Sequence, residues 1–105
     1  MNPSLSAPEL LLPDWPAPQG VRALITTRRG GVSAAPYDSF NLGGRAGDDP
    51  ACVAANRAAL RKLLPSGPVW LQQVHGAHVV DADVLRDGSE AAQADAAVAR
   101  SAGTV

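Results

Sequence analysis

The sequence predicts an α+β fold, a mixed β-sheet with flanking helices, and three observations lead to that class. A run at residues 21–27 rich in β-branched side chains predicts a strand. Apolar residues then recur at helical spacing from Asp49 to Leu64. Two further apolar runs, at 69–74 and 77–84, are typical of strands. With 105 residues, the chain has room for one modest fold unit.

Composition narrows the classes of protein that fit. Hydrophobic residues at 46% and charged residues at 18% are typical of a globular chain, while the 4% of aromatic residues predicts a thin core of Ala, Val and Leu. A net charge of −1 argues against nucleic-acid binding and a membrane-surface role. The single Cys52 excludes an internal disulfide, and the N-terminus lacks a signal-peptide pattern, so we expect a cytoplasmic protein.

Proline and glycine divide the chain. Residues 1–20 form a proline-rich segment that predicts an extended lead-in to the fold of residues 21–105. Its prolines are Pro3, Pro8, Pro13, Pro16 and Pro18. Residues 28–50 predict one long loop, and loops of this length are more often functional than not.

Local signals place the helix and leave the C-terminal part less determined. Asp49 as a cap and Pro50 at the first position predict a helix start, and Pro65 stops the helix. Residues 87–90 predict a turn, and alanine propensity favours a helix over 91–100. The last residues, 101–105, predict a turn that leads into a strand with no continuation.

His75 follows an apolar strand and precedes Gly76, which places it at a strand end suited to a cleft. Taken alone, a single imidazole is more often a hydrogen-bonded structural histidine than a metal ligand. His78 does not change this balance, because the two histidines could share a metal only in a turn.

Other residues in and next to the loop are candidate site residues, and each has both a functional and a structural interpretation. Arg28 and Arg29 beside two glycines suit an anion site, or equally a solvated turn. Asp38 and Asn41 suit hydrogen bonds to a ribose or base, but both are also common turn residues. Cys52 near a helix start suits a reactive thiol, although a packing role is the simpler reading.

Asp48 and Asp49 precede the predicted helix and form a pair of adjacent carboxylates. Two carboxylates suggest a metal site, yet helix capping and compensation of the helix dipole explain them without one. We therefore expect a structural role for both.

The order of the motifs is more informative than any single motif. In chain order they are Thr26-Thr27-Arg28-Arg29-Gly30-Gly31-Val32-Ser33, Pro36-Tyr37-Asp38-Ser39-Phe40-Asn41-Leu42-Gly43, Gly47-Asp48-Asp49-Pro50, Asn56-Arg57 and Trp70-Leu71-Gln72-Gln73-Val74-His75-Gly76. From Trp15 to Val105 the chain resembles the laccase-domain family. That family is known as multicopper polyphenol oxidoreductases, peptidoglycan editing factors and purine nucleoside phosphorylases.

This resemblance implies a zinc site made by two histidines and one cysteine, in which His75 is the first ligand. The cysteine and the second histidine of the family's motifs would follow Val105, and Cys52 does not match that cysteine. The chain is then the N-terminal portion of a larger single domain, truncated at its C-terminal end. Arg28 and Asn41 match family motifs and would lie beside the nucleoside or phosphate. Arg45 stands where relatives often carry histidine.

For function, the resemblance implies a zinc-dependent purine nucleoside phosphorylase that takes adenosine, inosine, guanosine or methylthioadenosine with phosphate and also deaminates adenosine. Its partners would be a purine nucleoside and phosphate, with no nucleic acid and no membrane. Three alternatives stay open: the 105 residues alone are inactive, or the protein is a copper-dependent polyphenol oxidase, or it hydrolyses peptidoglycan precursors.

Overall fold

A computed structural model describes residues 8–85 and 91–105, which form two compact units, Met1–Leu60 and Arg61–Val105. The elements are β1 (Leu10–Leu11), β2 (Ile25–Thr26), α1 (Pro50–Arg61), β3 (Leu71–Gln72), β4 (Val79–Asp81), α2 (Ala82–Leu85), β5 (Ala92–Gln93) and β6 (Ala96–Val98). The turn predicted at 87–90 and the start of the lead-in lie outside the described residues. The α+β class is confirmed, with its strands in three two-stranded sheets.

The first unit begins with a short antiparallel pair. Leu10 pairs with Thr26 and Leu11 with Ile25, so part of the proline-rich lead-in forms a strand against β2. Thr27 donates from its amide (3.3 Å) and hydroxyl (3.0 Å) to the carbonyl of Glu9, which extends this pairing. The strand predicted over 21–27 is thus shorter, limited to Ile25–Thr26.

Helix α1 confirms the helix predicted from Asp49 onward. The Asp49 carboxylate accepts a hydrogen bond from the Ala51 amide at 2.9 Å, which caps the N-terminus. The helix ends at Arg61, three residues before the predicted end. The Arg61 guanidinium donates to the Leu64 carbonyl at 2.9 Å, which closes the chain after the last turn.

Residues 27–49 contain no helix or strand, which confirms the long loop. Asn56 on α1 forms the hydrogen bonds that fix this loop, and its side chain is 1% exposed. Its Oδ1 accepts from the Val32 amide (2.9 Å), and its Nδ2 donates to the Ser33 hydroxyl (2.9 Å) and the Asn41 carbonyl (2.8 Å). A Cβ on Gly31 would lie 2.5 Å from Oδ1, so the loop approaches the helix this closely only because residue 31 is glycine.

The second unit contains two parallel pairs, β3 with β5 and β4 with β6. The helix expected over 91–100 is therefore wrong, because both β5 and β6 lie there. Pairing with distant strands supplies the backbone hydrogen bonds and overrides the helix propensity of alanine. Of the strand predicted at 77–84, only Val79–Asp81 is extended, and the Asp81 carboxylate then caps α2 through the Asp83 amide at 2.9 Å.

Asp83 holds the C-terminal turn of the second unit. Its carboxylate accepts from the Arg100 amide (2.9 Å), the Ser101 amide (3.2 Å) and the Thr104 hydroxyl (2.8 Å). The bond from Arg100, followed by that from Thr104, lowers the pKa of Asp83 below its ordinary value.

The buried apolar residues are few, as the composition predicts. In the first unit they are Phe40, Val53 and Leu60, and in the second they are Ala82 and Ala94. Polar contacts to loop backbone carry a correspondingly larger share of the organisation. Among residues 8–85 and 91–105, no helix has both the length and the apolar character needed to cross a bilayer.

We expect Asn56→Ala to destabilise the chain by about 2 kcal/mol or more. The substitution leaves the Val32 amide and the Asn41 carbonyl without their hydrogen-bond partner, and each unsatisfied buried group costs ~1–3 kcal/mol. Urea unfolding measures this loss. The matched control is Ala54→Gly, an exposed site on the same helix, which costs about 1 kcal/mol through helix propensity alone. An Asn56→Ala loss no larger than that of the control would contradict the role of the buried amide.

Candidate functional site

The long loop of the first unit forms an open pocket of about 550 Å³. Its walls are Thr26, Arg28, Pro36, Tyr37, Asp38, Phe40, Asn41 and Leu42. Two of the residues singled out in the sequence, Arg28 and Asn41, thus lie in the same pocket. A volume of this size accommodates a ligand as large as a nucleoside.

Arg28 brings an exposed positive charge to this pocket. Its Nε donates to the Asp38 carbonyl at 3.0 Å, and its Nη2 lies 3.4 Å from the Asp38 carboxylate. The guanidinium remains 71% exposed, and these two contacts use two of its five N–H donors. Meanwhile the Arg28 carbonyl accepts from the amides of Ser39 (2.6 Å) and Phe40 (2.9 Å), which fixes its backbone.

Asn41 is held by the loop itself. Its Oδ1 accepts from the Gly43 amide at 3.0 Å, and its Nδ2 donates to the Gly43 carbonyl and to Asp48 Oδ2, both at 3.2 Å. These are the bonds of an asparagine that shapes a turn. Asn41 therefore contributes to the pocket as a fixed part of its wall.

Asp48 stabilises this wall through hydrogen bonds to its carboxylate. Its Oδ2 accepts from the Ser33 hydroxyl at 2.6 Å as well as from Asn41, and its Oδ1 accepts from the Asp49 amide at 2.7 Å. The bond from Ser33 is the main reason that the pKa of Asp48 is lowered, against the opposing effect of burial. The expected structural role holds for both carboxylates, but only Asp49 caps the helix.

Helix α1 reaches the pocket through two adjacent residues. Asn56 holds the Asn41 carbonyl, and Arg57 Nε donates to the Leu42 carbonyl at 2.8 Å. In the sequence, Asn56 and Arg57 form a motif without an evident role, and nothing there indicates the role of Ser33. Helical spacing did carry a signal for Asn56, since it lies between Val53 and Leu60 on the buried face.

The second arginine of the loop faces different surroundings. Arg29 lies 3.7 Å from Glu9 in an ion pair whose side chains are 78% and 54% exposed, as in a solvated turn. The Gly30 amide donates to the Ser39 hydroxyl at 3.2 Å, so it is engaged within the loop. Of the two arginines, Arg28 is the one that lines the pocket.

Cys52 matches the packing role. Its Sγ lies 3.8 Å from the Val32 carbonyl, and the side chain is half-buried. Burial, followed by the negative charges of Asp49 and Asp48, raises the pKa of this thiol. A helix start that lowered the thiol pKa would have the opposite effect, so the reactive reading finds no support.

His75 lies in the second unit, in the turn between β3 and β4. It is exposed and has a φ of 58°, in the left-handed region that non-glycine residues rarely adopt. Asp95, which lies between β5 and β6, contacts this turn through its side chain. Its carboxylate accepts hydrogen bonds from the amides of Val74 (3.2 Å) and His78 (3.3 Å). Asp95 lies in the segment 91–100 for which alanine propensity predicted a helix, and nothing in the sequence indicated this role.

The metal-ligating chemistry of the described residues is limited to single groups. No three His, Cys, Asp or Glu residues among 8–85 and 91–105 converge in a way that could hold a metal ion. The exposed imidazole of His75 nevertheless suits one coordination position of a zinc ion, for which neutral histidine is a common ligand.

The fold is that of a known class. The chain is similar to a crystal structure of a Neisseria meningitidis protein of the DUF152 class, with a TM-score of 0.83 and 40% identity over 90% of this chain and 38% of that one. A family model described as multi-copper polyphenol oxidoreductase laccase matches residues 22–105. The chain belongs to this family.

Its relatives carry a more specific name. A Pseudomonas aeruginosa protein named purine nucleoside phosphorylase is 58% identical over 76 residues, which are 72% of this chain and 31% of the relative. The Escherichia coli purine nucleoside phosphorylase YfiH is 48% identical over 102 residues, or 92% of this chain and 40% of the relative. The chain thus spans between 31% and 40% of the length of these relatives.

Stability should fall in acid because the pKa values of Asp48 and Asp83 are lowered in the folded state. Their contribution is fully present above the ordinary Asp value of 3.8 and is lost as the pH falls through the lowered folded values. We expect the melting temperature to drop as the pH falls below the ordinary Asp value of 3.8. The double variant Asp48→Asn/Asp83→Asn should show a flatter profile, and an unchanged slope would contradict this origin.

Proposed function

We propose that the chain forms the N-terminal part of a zinc-dependent purine nucleoside phosphorylase. The observation that carries the proposal is the 58% and 48% identity to relatives named purine nucleoside phosphorylase. The substrates proposed are adenosine, inosine, guanosine or methylthioadenosine together with phosphate, and adenosine is also deaminated. The pocket and the exposed imidazole give this proposal its physical parts.

In the pocket, Arg28 binds the anion. A guanidinium offers paired N–H donors to phosphate oxygens, and its 71% exposure leaves it accessible. Asp38, the present neighbour of Arg28, is 51% exposed and gives way to a doubly charged anion at little cost, because exposed ion pairs are worth only about 0–1 kcal/mol.

The wall of the pocket supplies the nucleoside contacts. Tyr37 and Leu42 give it apolar surface, and Asn41, fixed by Gly43 and Asp48, keeps the wall in one shape. The Tyr37 hydroxyl donates to the Ala46 carbonyl at 3.1 Å, so this ring is also anchored. A wall that is already ordered binds a ligand with a smaller loss of conformational entropy.

His75 contributes one protein ligand to zinc, and the other two are the histidine and the cysteine of the family's later motifs. A zinc ion held by these three ligands would supply polarisation of a water or of a substrate atom, which is chemistry that suits both deamination and departure of a purine base. The chain itself supplies two groups to this chemistry. The imidazole of His75 belongs to the second unit, and the guanidinium of Arg28 belongs to the first unit.

The complete activity is tested in a chimaera in which residues 1–105 replace the matching segment of the Escherichia coli relative. We expect this chimaera to bind zinc and to release adenine from adenosine only when phosphate is present. The 105-residue chain alone should bind no stoichiometric zinc and release no adenine, since one histidine does not hold zinc tightly. Metal analysis and chromatography of the products measure both.

Two results would contradict these expectations. A folded, zinc-loaded chimaera without phosphate-dependent release of adenine would exclude the phosphorylase assignment for this segment. Stoichiometric zinc in the 105-residue chain would overturn the idea that it lacks a complete ligand set.

Arg28→Gln should raise the KM for phosphate about tenfold or more in the chimaera, because a charged hydrogen bond to the anion is worth ~1.5–3 kcal/mol. Steady-state kinetics at varied phosphate measure the change. Arg29→Gln removes the same charge from the adjacent, 78% exposed arginine and should shift KM far less. Equal effects of the two variants would show that only net charge matters and that Arg28 has no special role.

Copper-dependent phenol oxidation is the second candidate, favoured by the description of the matching family as multi-copper polyphenol oxidoreductase laccase. Copper also accepts imidazole ligands, so His75 suits either metal. Copper content together with oxygen-dependent oxidation of a phenol in the chimaera would favour this function over the first.

A further inference from the structure

The turn that carries His75 is an insertion in an otherwise continuous pairing of two chain segments. Leu71 pairs with Ala92 and Val79 pairs with Ala96, so one segment advances eight residues while its parallel partner advances four. Four extra residues therefore loop out between β3 and β4. On the partner segment, Ala94 and Asp95 lie opposite this loop.

The backbone of the partner segment forms hydrogen bonds with the chain on each side of the loop. The Ala94 amide donates to the Gln72 carbonyl at 3.1 Å, before the loop. After the loop, the His78 carbonyl accepts from the amides of Asp95 (2.9 Å) and Ala96 (3.3 Å). Ala94 is fully buried, so the base of the loop is fixed on both sides.

The Asp95 carboxylate forms hydrogen bonds with the backbone of the loop itself. Its Oδ1 accepts from the Val74 amide at 3.2 Å and its Oδ2 from the His78 amide at 3.3 Å. The two oxygens of one carboxylate therefore hold one amide before His75 and one after it.

The conformation of His75 makes this support necessary. Its φ of 58° is unfavourable for an L-residue, because it brings Cβ close to the following carbonyl oxygen, and it persists only where the surroundings determine it. The ring of His75 has no hydrogen bond or ion pair among the described residues, so the loop backbone is what positions it.

We propose that Asp95 is a positioning residue for metal binding: by accepting hydrogen bonds from the amides of Val74 and His78, it sets the backbone from which His75 presents its imidazole to the metal. This inference rests on the proposed function, in which His75 is a ligand. It assigns to Asp95 a role that requires no contact with the metal or the substrate. Such indirect supports commonly change metal affinity by about 10–100-fold.

The decisive variant is Asp95→Asn, which keeps the size of the side chain but turns one acceptor oxygen into an amino group facing N–H donors. Its control is Asp81→Asn, which removes the same charge in the same unit and still caps α2, because asparagine is also a good cap. Asp95→Glu keeps the charge and shifts the carboxylate by one methylene.

Zinc affinity is measured in the chimaera with residues 1–105 by competition with a chelator, independently of catalysis. We expect Asp95→Asn and Asp95→Glu to weaken zinc binding about tenfold or more, with Asp81→Asn close to the parent. Equal affinities for the Asp95 and Asp81 variants would overturn the proposal. If the parent chimaera binds no zinc, the proposed function fails instead, and the next measurement then decides the role of Asp95 separately.

That measurement is amide hydrogen exchange and the φ-dependent coupling of His75 by NMR in the unaltered 105-residue chain, which needs neither metal nor a folded variant. Protected amides at Val74 and His78 and a left-handed His75 are expected. Exchange at the rates of a free peptide would overturn the proposal even if the variants fail to fold.

Discussion

The first unit depends on one side chain, the buried amide of Asn56. Its three hydrogen bonds join the helix to two separate parts of a loop that has no regular structure of its own. An amide is suited to this task because it accepts on one atom and donates twice on another, and so satisfies both kinds of backbone group. The pocket exists because the helix can reach the carbonyls of Asn41 and Leu42 while Gly31 leaves room for the approach.

The second unit uses the same physical solution with carboxylates. Asp95 binds the amides of one turn, and Asp83 binds those of another. A chain with 4% aromatic residues and five buried apolar side chains among its described residues gains little from a large core. Short polar side chains that fold loops around themselves then take over much of the organisation, and they do so in each unit by itself.

Local signals in the sequence were sufficient for some elements and insufficient for others. Asp49, Pro50 and the apolar spacing define α1 because a helix is stabilised by neighbours along the chain. The segment 91–100 misled for the opposite reason, since its strands depend on partners that lie far away in sequence. Arg28 was recognisable as a pocket residue from its motif, but the bonds of Asn41 and the role of Asp95 depend on loop geometry and strand register, which no short motif records.

The grip of Asp95 on its loop has a consequence for the order of folding. His75 and Asp95 are separated by twenty positions, and contacts between such distant residues form only after the intervening chain has closed into a loop. Helix α1 forms from local contacts, whereas the left-handed turn at His75 waits for β5 and β6 to pair. The final orientation of the His75 imidazole is therefore set by contacts between residues far apart in sequence, and not by the turn that carries it.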